Sequence, residues 1–329
     1  RNLKELIKVV DKNNIRRCMF CTDDKHPGDL LKDGSIDHNI RSAIKEGIDP
    51  IDCIKMASLN AAEAYGLKGK GAIAPGYKAD LVVIDNLEDF NIIKVFKEGK
   101  IVAENNKPLF QIPNRDNSSM KNTVNIKKVE LEDLKISIEG SKVNIIKFLP
   151  HSLITEKVVR DVKDMVVKDG EFIRGDNILK VAVVERHNKT GNIGLALVED
   201  FGLENGAIAS TVAHDSHNII VIGDSDKDML LAIEELERVG GGLTMVSDGK
   251  VLDTLALTIA GLMSEESLED VDKKLTSMFH TAYEKLKVNE DFDPFMTLSF
   301  IALPVIPDIK ITDLGLFHVG EFKFINLTE

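Results

Sequence analysis

Five short apolar runs between residues 178 and 246 constrain the fold of this chain more than any other feature. They are Ile178 to Val184, Gly191 to Val198, Ala207 to Val212, Ile219 to Ile222 and Leu243 to Val246. Apolar runs of strand length bounded by turn residues read as strands of a buried sheet. Between the last two, Ser225 followed by Asp228 resembles a capping box that opens a helix from Met229 to Val239. Gly240-Gly241-Gly242 ends that helix. These glycines could let backbone approach a ligand, but they follow a helix rather than open one, so a C-cap is the better account. Further helices are expected over roughly Leu252 to Met263 and Leu268 to Lys287, before an apolar stretch, Ser299 to Val305. The region from about Val124 onward therefore reads as a mixed α/β domain.

The first hundred residues have a different rhythm. Leu3, Leu6, Ile7 and Val10 sit at helical spacing, and Ile15 to Cys21 reads as a short strand ending at Thr22-Asp23-Asp24. Ile36, Ile40 and Ile44 space a helix that stops at Gly47; another starts near Pro50 and runs to Tyr65. A glycine-rich turn region, 68–76, leads to the strand Leu81 to Ile84 and to a hairpin pairing Ile92–Phe96 with Ile101–Val102. The Asn-, Pro- and Ser-rich stretch that follows reads as a connector. The expected division is 1–67, 68–106, a connector at 107–123, and 124–329.

Charge and composition exclude several functions. The chain of 329 residues carries 42 Lys and Arg against 54 Asp and Glu, a formal charge of −12. Nucleic-acid binding runs on clustered positive charge and stacking aromatics; aromatics are 5% here and Trp is absent. No nucleic-acid partner is expected. No apolar run approaches the length of a membrane span, so no membrane partner is expected either. Three cysteines suit a reducing compartment. Cys18 and Cys21 match C-x-x-C, but on a strand their side chains point to opposite faces and could not share a metal.

Three segments could carry chemistry. Asp23 and Asp24 follow the first strand-like run; a carboxylate at a strand's C-terminal end can ligate a divalent metal and accept a proton, or can simply turn the chain. His214-Asp215-Ser216-His217 lies between two apolar runs and could bind metal, shuttle a proton or hydrogen-bond a polar substrate. A polar turn that satisfies its own backbone is the competing reading. Glu185-Arg186-His187 ends another run, as a ligand, an inter-domain ion pair or a solvated terminus.

The order of motifs resembles a known family. Met56-Ala57-Ser58-Leu59-Asn60-Ala61-Ala62 through Tyr65-Gly66, then Gly71 through Val83, resembles the exit from barrel to β-sandwich in the amidohydrolase superfamily. Phe20-Cys21-Thr22-Asp23-Asp24-Lys25-His26-Pro27, Glu185-Arg186-His187, Thr190 to Gly194, Gly206 to Ser210, Val212 to Asn218, Ala302 to Pro307 and Thr312-Asp313 are similar to adenine deaminases within it. The resemblance implies an α/β fold: the end of a (β/α)8 barrel with its last strand and helices, a small β-sandwich segment, and a mixed α/β C-terminal domain. It implies hydrolytic deamination of adenine to hypoxanthine and ammonia in the cytoplasm, within purine salvage or adenine catabolism, by a homo-oligomer. The implied cofactor is Mn²⁺ or Fe²⁺, as a binuclear centre. Asp23 would be the metal ligand and proton shuttle, with Asp24 the alternative, and His214, Asp215, His217 and Glu185 are candidates for the purine pocket.

One departure qualifies this. The family's metal centre uses a His-x-His pair, and the eight histidines, at 26, 38, 151, 187, 214, 217, 280 and 318, include no such pair. The expectation is that the remaining ligands belong to an N-terminal barrel portion absent from this chain, and that the chain alone is inactive. Another amidohydrolase, such as a dihydropyrimidinase-like enzyme, and a non-catalytic assembly or regulatory module are the alternatives.

Overall fold

A computed structural model describes residues 2–113 and 115–329. The chain divides into two compact units, Arg1–Arg115 and Asp116–Glu329. Both helices and sheets are present, and among the described residues no barrel closes.

In the first unit the helices are α1 (Leu3–Leu6), α2 (Pro27–Asp33), α3 (Ile36–Lys45), α4 (Pro50–Ala57) and α5 (Leu59–Ala64). Ile7, Ile40, Ala43, Cys53, Met56 and Phe90 form their core. Asp49 caps α4: its Oδ1 accepts from the backbone N–H of Ile51 at 2.9 Å and of Asp52 at 3.2 Å, while Pro50 occupies the first turn. The single helix expected from Pro50 to Tyr65 breaks at Ser58, whose hydroxyl donates to the Ile54 carbonyl and whose φ of −131° leaves the helical range.

The strand expected over Ile15 to Cys21 does not form. Ile15–Arg17 makes a 3-10 turn, and Cys18 continues in extended conformation without a ladder partner. Side chains serve its carbonyls instead of a neighbouring strand. Asn60 Nδ2 donates to Ile15 O at 2.9 Å and Cys18 O at 2.8 Å, and Asn39 Nδ2 donates to Cys21 O at 2.8 Å. The strand-face argument about Cys18 and Cys21 therefore loses its basis, although both thiols are free. The rest of the unit is an antiparallel sheet of β1 (Leu81–Ile84), β2 (Ile92–Lys97), β3 (Lys100–Glu104) and β4 (Lys107–Pro108), in that order. The β2–β3 hairpin turns at Glu98 and Gly99, both with positive φ (49° and 79°), as a tight two-residue loop requires.

The second unit is built on a ten-stranded sheet. Its strands are β5 (Lys142–Phe148), β6 (Thr155–Asp161), β7 (Met165–Lys168), β8 (Glu171–Gly175), β9 (Ile178–Val184), β10 (Ile193–Glu199), β11 (Ala207–Ser210), β12 (Ile219–Gly223), β13 (Gly242–Ser247) and β14 (Lys250–Ala256). The spatial order is β14-β13-β11-β12-β9-β10-β5-β6, with β7 and β8 joined at β9. Among the described residues only β10 and β5 pair parallel in this sheet. All seven residues of β9 are buried. Val181 and Val183 face one core with Ile220 and Ile222; Ala182 and Val184 face the other with Ile219 and Val221. Helix α6 (Asp226–Val239) packs on the second face, while α7 (Leu268–Glu284) and α8 (Pro294–Ile301) contribute to the first. Burial on both faces is why these strands read as continuous apolar runs rather than alternating ones. A small antiparallel sheet, β15 (Ile309–Thr312), β16 (Gly315–His318) and β17 (Lys323–Phe324), completes the unit.

Helix α6 starts with Ser225 Oγ accepting from the Asp228 N–H at 3.4 Å and ends at Gly240, which adopts the left-handed conformation of a C-cap. The helix expected over Leu252 to Met263 is corrected: β14 occupies its first half and pairs with β13. Asp248 and Gly249 both have positive φ (51° and 71°), and this Asp-Gly pair makes the two-residue hairpin.

Candidate functional site at one end of the sheet

Register brings the sequence candidates of the second unit together. Val184, the last residue of β9, lies opposite Ile193 of β10 on one side and Ile219 of β12 on the other. The loop 185–192 and the turn 214–218 therefore leave the sheet at the same end and side by side. Glu185, Arg186, His187, His214, Asp215 and His217 all belong to this end.

Glu185 organises the first loop. It is 6% exposed. Its Oε1 accepts from the N–H of His187 at 2.6 Å and of Asn188 at 2.8 Å, and its Oε2 accepts from the N–H and hydroxyl of Thr190 at 3.0 and 3.1 Å. Burial pushes its carboxyl up, but the backbone donors at Thr190, Asn188 and His187 outweigh it and hold the group below the usual carboxylate range. This carboxylate is occupied by its own loop. The loop in turn carries Asn192, whose Nδ2 donates to Asp313 Oδ2 at 3.1 Å, so that the Thr190 to Gly194 and Thr312-Asp313 motifs meet.

Arg186 is 1% exposed, the reverse of a solvated strand end. Its Nε donates to the carbonyl of His217 and its Nη2 donates to the carbonyl of Ala260 at 3.1 Å. Its own N–H donates to Asn218 Oδ1 at 3.3 Å. Among the described residues no carboxylate lies within ion-pair distance of this guanidinium. Gly261 explains how it fits: a Cβ there would stand 2.9 Å from Arg186 Nη1 and 3.1 Å from Cζ, and the residue's φ is +71°.

The turn itself is held from both sides. His187 Nε2 pairs with the Ser216 carbonyl at 2.7 Å, and the His217 N–H donates to the Ala213 carbonyl at 2.6 Å. His217 has φ 51°, and its Nδ1 is buried with no hydrogen-bond partner. Its ring lies 5.7 Å from that of His214, which packs on Phe300 at 4.5 Å. His214 N–H donates to the Ser299 carbonyl at 3.2 Å, and the Ser299 hydroxyl is a second buried polar atom with no partner. Burial first, then the neighbouring His214 and Arg186, lower the His217 pKa. The neutral imidazole can accept or pass a proton, or hydrogen-bond a polar ring. Asp215 is exposed.

Asp23 and Asp24 belong to the first unit. Both are exposed; Asp23 has φ 56°, and its Oδ1 accepts from the Asp24 N–H at 2.9 Å. Among the described residues no three His, Cys, Asp or Glu side chains are grouped so as to hold a metal ion. Asp23 contributes one carboxylate, which falls short of a divalent site, so the residues present do not by themselves fit a binuclear centre.

Two groups escaped the sequence reading. Asn218 fixes the Arg186 backbone, and its side-chain amide beside two histidines was the available signal. Lys310 is fully buried on β15, with its Nζ donating to the Leu153 carbonyl at 2.9 Å, and burial lowers its pKa to about 8. Its β-strand sequence, Ile-Lys-Ile, gives no warning of that.

Comparison with known proteins gives matches along most of the chain. The Adenine deaminase C-terminal domain family matches residues 152–323, and the Amidohydrolase family matches residues 1–102. An adenine deaminase from Clostridium acetobutylicum is 51% identical over 99% of this chain and 57% of its own length. One from Nitratidesulfovibrio vulgaris is 44% identical over 98% of this chain and 56% of its own. "Adenine deaminase 2" of Carboxydothermus hydrogenoformans is 47% identical over 99% and 57%. The chain thus spans a little over half the length of the curated relatives it matches.

Proposed function

This chain belongs to the Adenine deaminase C-terminal domain family, and from that membership we propose that it serves the hydrolytic deamination of adenine to hypoxanthine and ammonia. The observation that carries the reading is the succession, in one chain, of an amidohydrolase match and the deaminase-specific domain. Relatives bearing the name adenine deaminase align with nearly every residue of it.

The group such a reaction uses is a divalent metal, Mn²⁺ or Fe²⁺ and binuclear, whose chemistry is to generate hydroxide from water near neutral pH. The described residues do not assemble that centre, so the activity is assigned to an enzyme in which this chain is joined by an N-terminal barrel portion. Asp23, or Asp24 one residue on, is assigned the ligand and proton-shuttle role in it. His214, Asp215 and His217 are assigned to purine hydrogen bonding, and Glu185 to holding the loop beside them. The proposed domains are 1–67, 68–106 and 124–329, joined by 107–123. A homo-oligomer acting in cytoplasmic purine salvage completes the reading. It is compatible with the described helices, none of which is long and apolar enough to cross a membrane.

The test is adenine turnover by the 329-residue chain with added Mn²⁺, before and after supplying the N-terminal portion of a relative. Hypoxanthine is expected only after it is supplied. Full activity from the chain alone would overturn the assignment of the metal ligands to another segment.

A further inference from the structure

We propose that the sheet end built from Glu185–Asn192 and His214–Asn218 binds a small tetrahedral oxyanion of the phosphate class, held by the Arg186 guanidinium and by His217 Nδ1. This goes beyond the deaminase reading and does not depend on it: the oxyanion is held chiefly by Arg186, which that reading does not use, and it shares only the His217 ring with the proposed purine contacts. Arg186 is 1% exposed and finds only two backbone carbonyls, those of His217 and Ala260, which leaves most of its five N–H donors unused. A buried cation without a counter-charge is costly. The charges around it do not supply one. His187, His214 and His217 are basic, and Glu185 gives both oxygens to the 187–190 backbone and the Thr190 hydroxyl. Asp215, though exposed, lies 4.0 Å from His214 Nδ1 and faces the histidines rather than the guanidinium, on which burial alone acts. Lys127 adds a further ammonium: a Cβ on Gly191 would meet its Cδ at 2.7 Å and its Nζ at 3.4 Å. Glu265, on the 257–266 segment, is paired with Lys121.

The second observation is independent of charge. His217 Nδ1 is buried without a partner, next to the carbonyl that Arg186 holds. A buried polar atom left unpaired costs free energy that a bound acceptor recovers. The Arg186 guanidinium on the 185–192 loop and the His217 imidazole on the 214–218 turn are tied together by the Arg186–His217 and His187–Ser216 bonds, and with Nδ1 protonated they supply the kind of donors that a tetrahedral oxyanion accepts. The site thus combines basic side chains in a chain whose net charge is −12, so the attraction is local rather than a property of the whole surface.

The experiment is titration of the 329-residue chain with inorganic phosphate against sodium chloride at matched ionic strength. It is read by thermal melting and by ¹⁵N resonances of the histidine side chains. Phosphate is expected to raise the melting temperature saturably, to shift the His217 Nδ1 resonance, and to raise the pH at which His217 titrates. Arg186→Met should lose about tenfold or more in phosphate affinity, the loss expected for one charge-assisted pair. If Arg186→Met does not fold, His217→Gln provides the second reading and should weaken binding while the melt remains cooperative. Equal responses to phosphate and chloride, or phosphate binding unchanged in a folded variant, would overturn the proposal. Deaminase activity is not among the readouts, so failure here leaves that assignment untouched.

Discussion

Arg186, on the residue pair that follows β9, donates through Nε to the main-chain carbonyl of His217 just before β12, so one buried guanidinium fixes the turn that carries two histidines. Gly261 makes room for it. Gly261→Ala is expected to push against Arg186 Nη1 and to force a side chain into positive φ. The expected cost is about 1–3 kcal/mol, read by urea denaturation, together with a shift of the His217 side-chain resonances. Unchanged stability would mean that the guanidinium is not held where the structure places it.

Glu185 is expected to make the loop 187–190 dependent on pH. Its carboxyl lies below the ordinary value in the folded chain, against burial, because backbone N–H groups donate to it. A lowered carboxyl stabilises the fold above the unfolded-state pKa, near 4.3, and that contribution is lost as pH falls through the lower folded value. Glu185→Gln should cost about 1–3 kcal/mol at neutral pH and should flatten the acid limb of the stability curve below about pH 4.3. Hydrogen exchange at Asn188 and Thr190 checks that the loss is local.

Lys310 has the opposite sign. Burial lowers its pKa to about 8 from an ordinary value of 10.5. Below pH 8 the folded chain bears the full cost of a buried ammonium, and between about 8 and 10.5 the unfolded state binds more protons, so stability rises with pH. Lys310→Met should therefore stabilise the chain at pH 7 by about 1 kcal/mol, net of the donor lost to the Leu153 carbonyl. The gain should shrink toward pH 10. Denaturant midpoints at both pH values give the answer.

His217→Ala, made in a deaminase complete with its N-terminal portion, should lower kcat by about 10²-fold while shifting the melting temperature little. Equal losses of folding and turnover would return the turn to a purely structural role.

The legible part of the fold was the part set by composition of short segments. The runs at 178–184, 207–212 and 219–222 are dominated by apolar residues, broken only by Lys180, Ser210 and Thr211, because both faces of their strands are covered, and that shows in sequence. The 250–256 strand was misread because its apolar positions at Val251, Leu252 and Leu255, with Leu257 just beyond, also suit a helix. The Asp248-Gly249 pair, a two-residue hairpin signal that the periodicity argument left unused, separates the two readings. Ile15–Cys21 was misread because strand-type residues form a strand only where a neighbour offers a ladder, and here the amides of Asn60 and Asn39 take the carbonyls. At the candidate site, the clustering of Glu185–His187 with His214–His217 follows from register, through Val184, which no local pattern encodes. That Arg186 is buried depends on Gly261, distant in sequence and indistinguishable there from an ordinary turn glycine.

The most direct test of the central claim joins this chain to the N-terminal portion of the Clostridium acetobutylicum relative, in the presence of Mn²⁺, and measures hypoxanthine and ammonia released from adenine. The account predicts equal amounts of both products, and turnover lowered about 10²-fold or more by Asp23→Asn, a substitution that tolerates the positive φ of 56° at that position. A folded, metal-loaded protein that leaves adenine intact, or one whose turnover survives Asp23→Asn and Asp24→Asn alike, would contradict it.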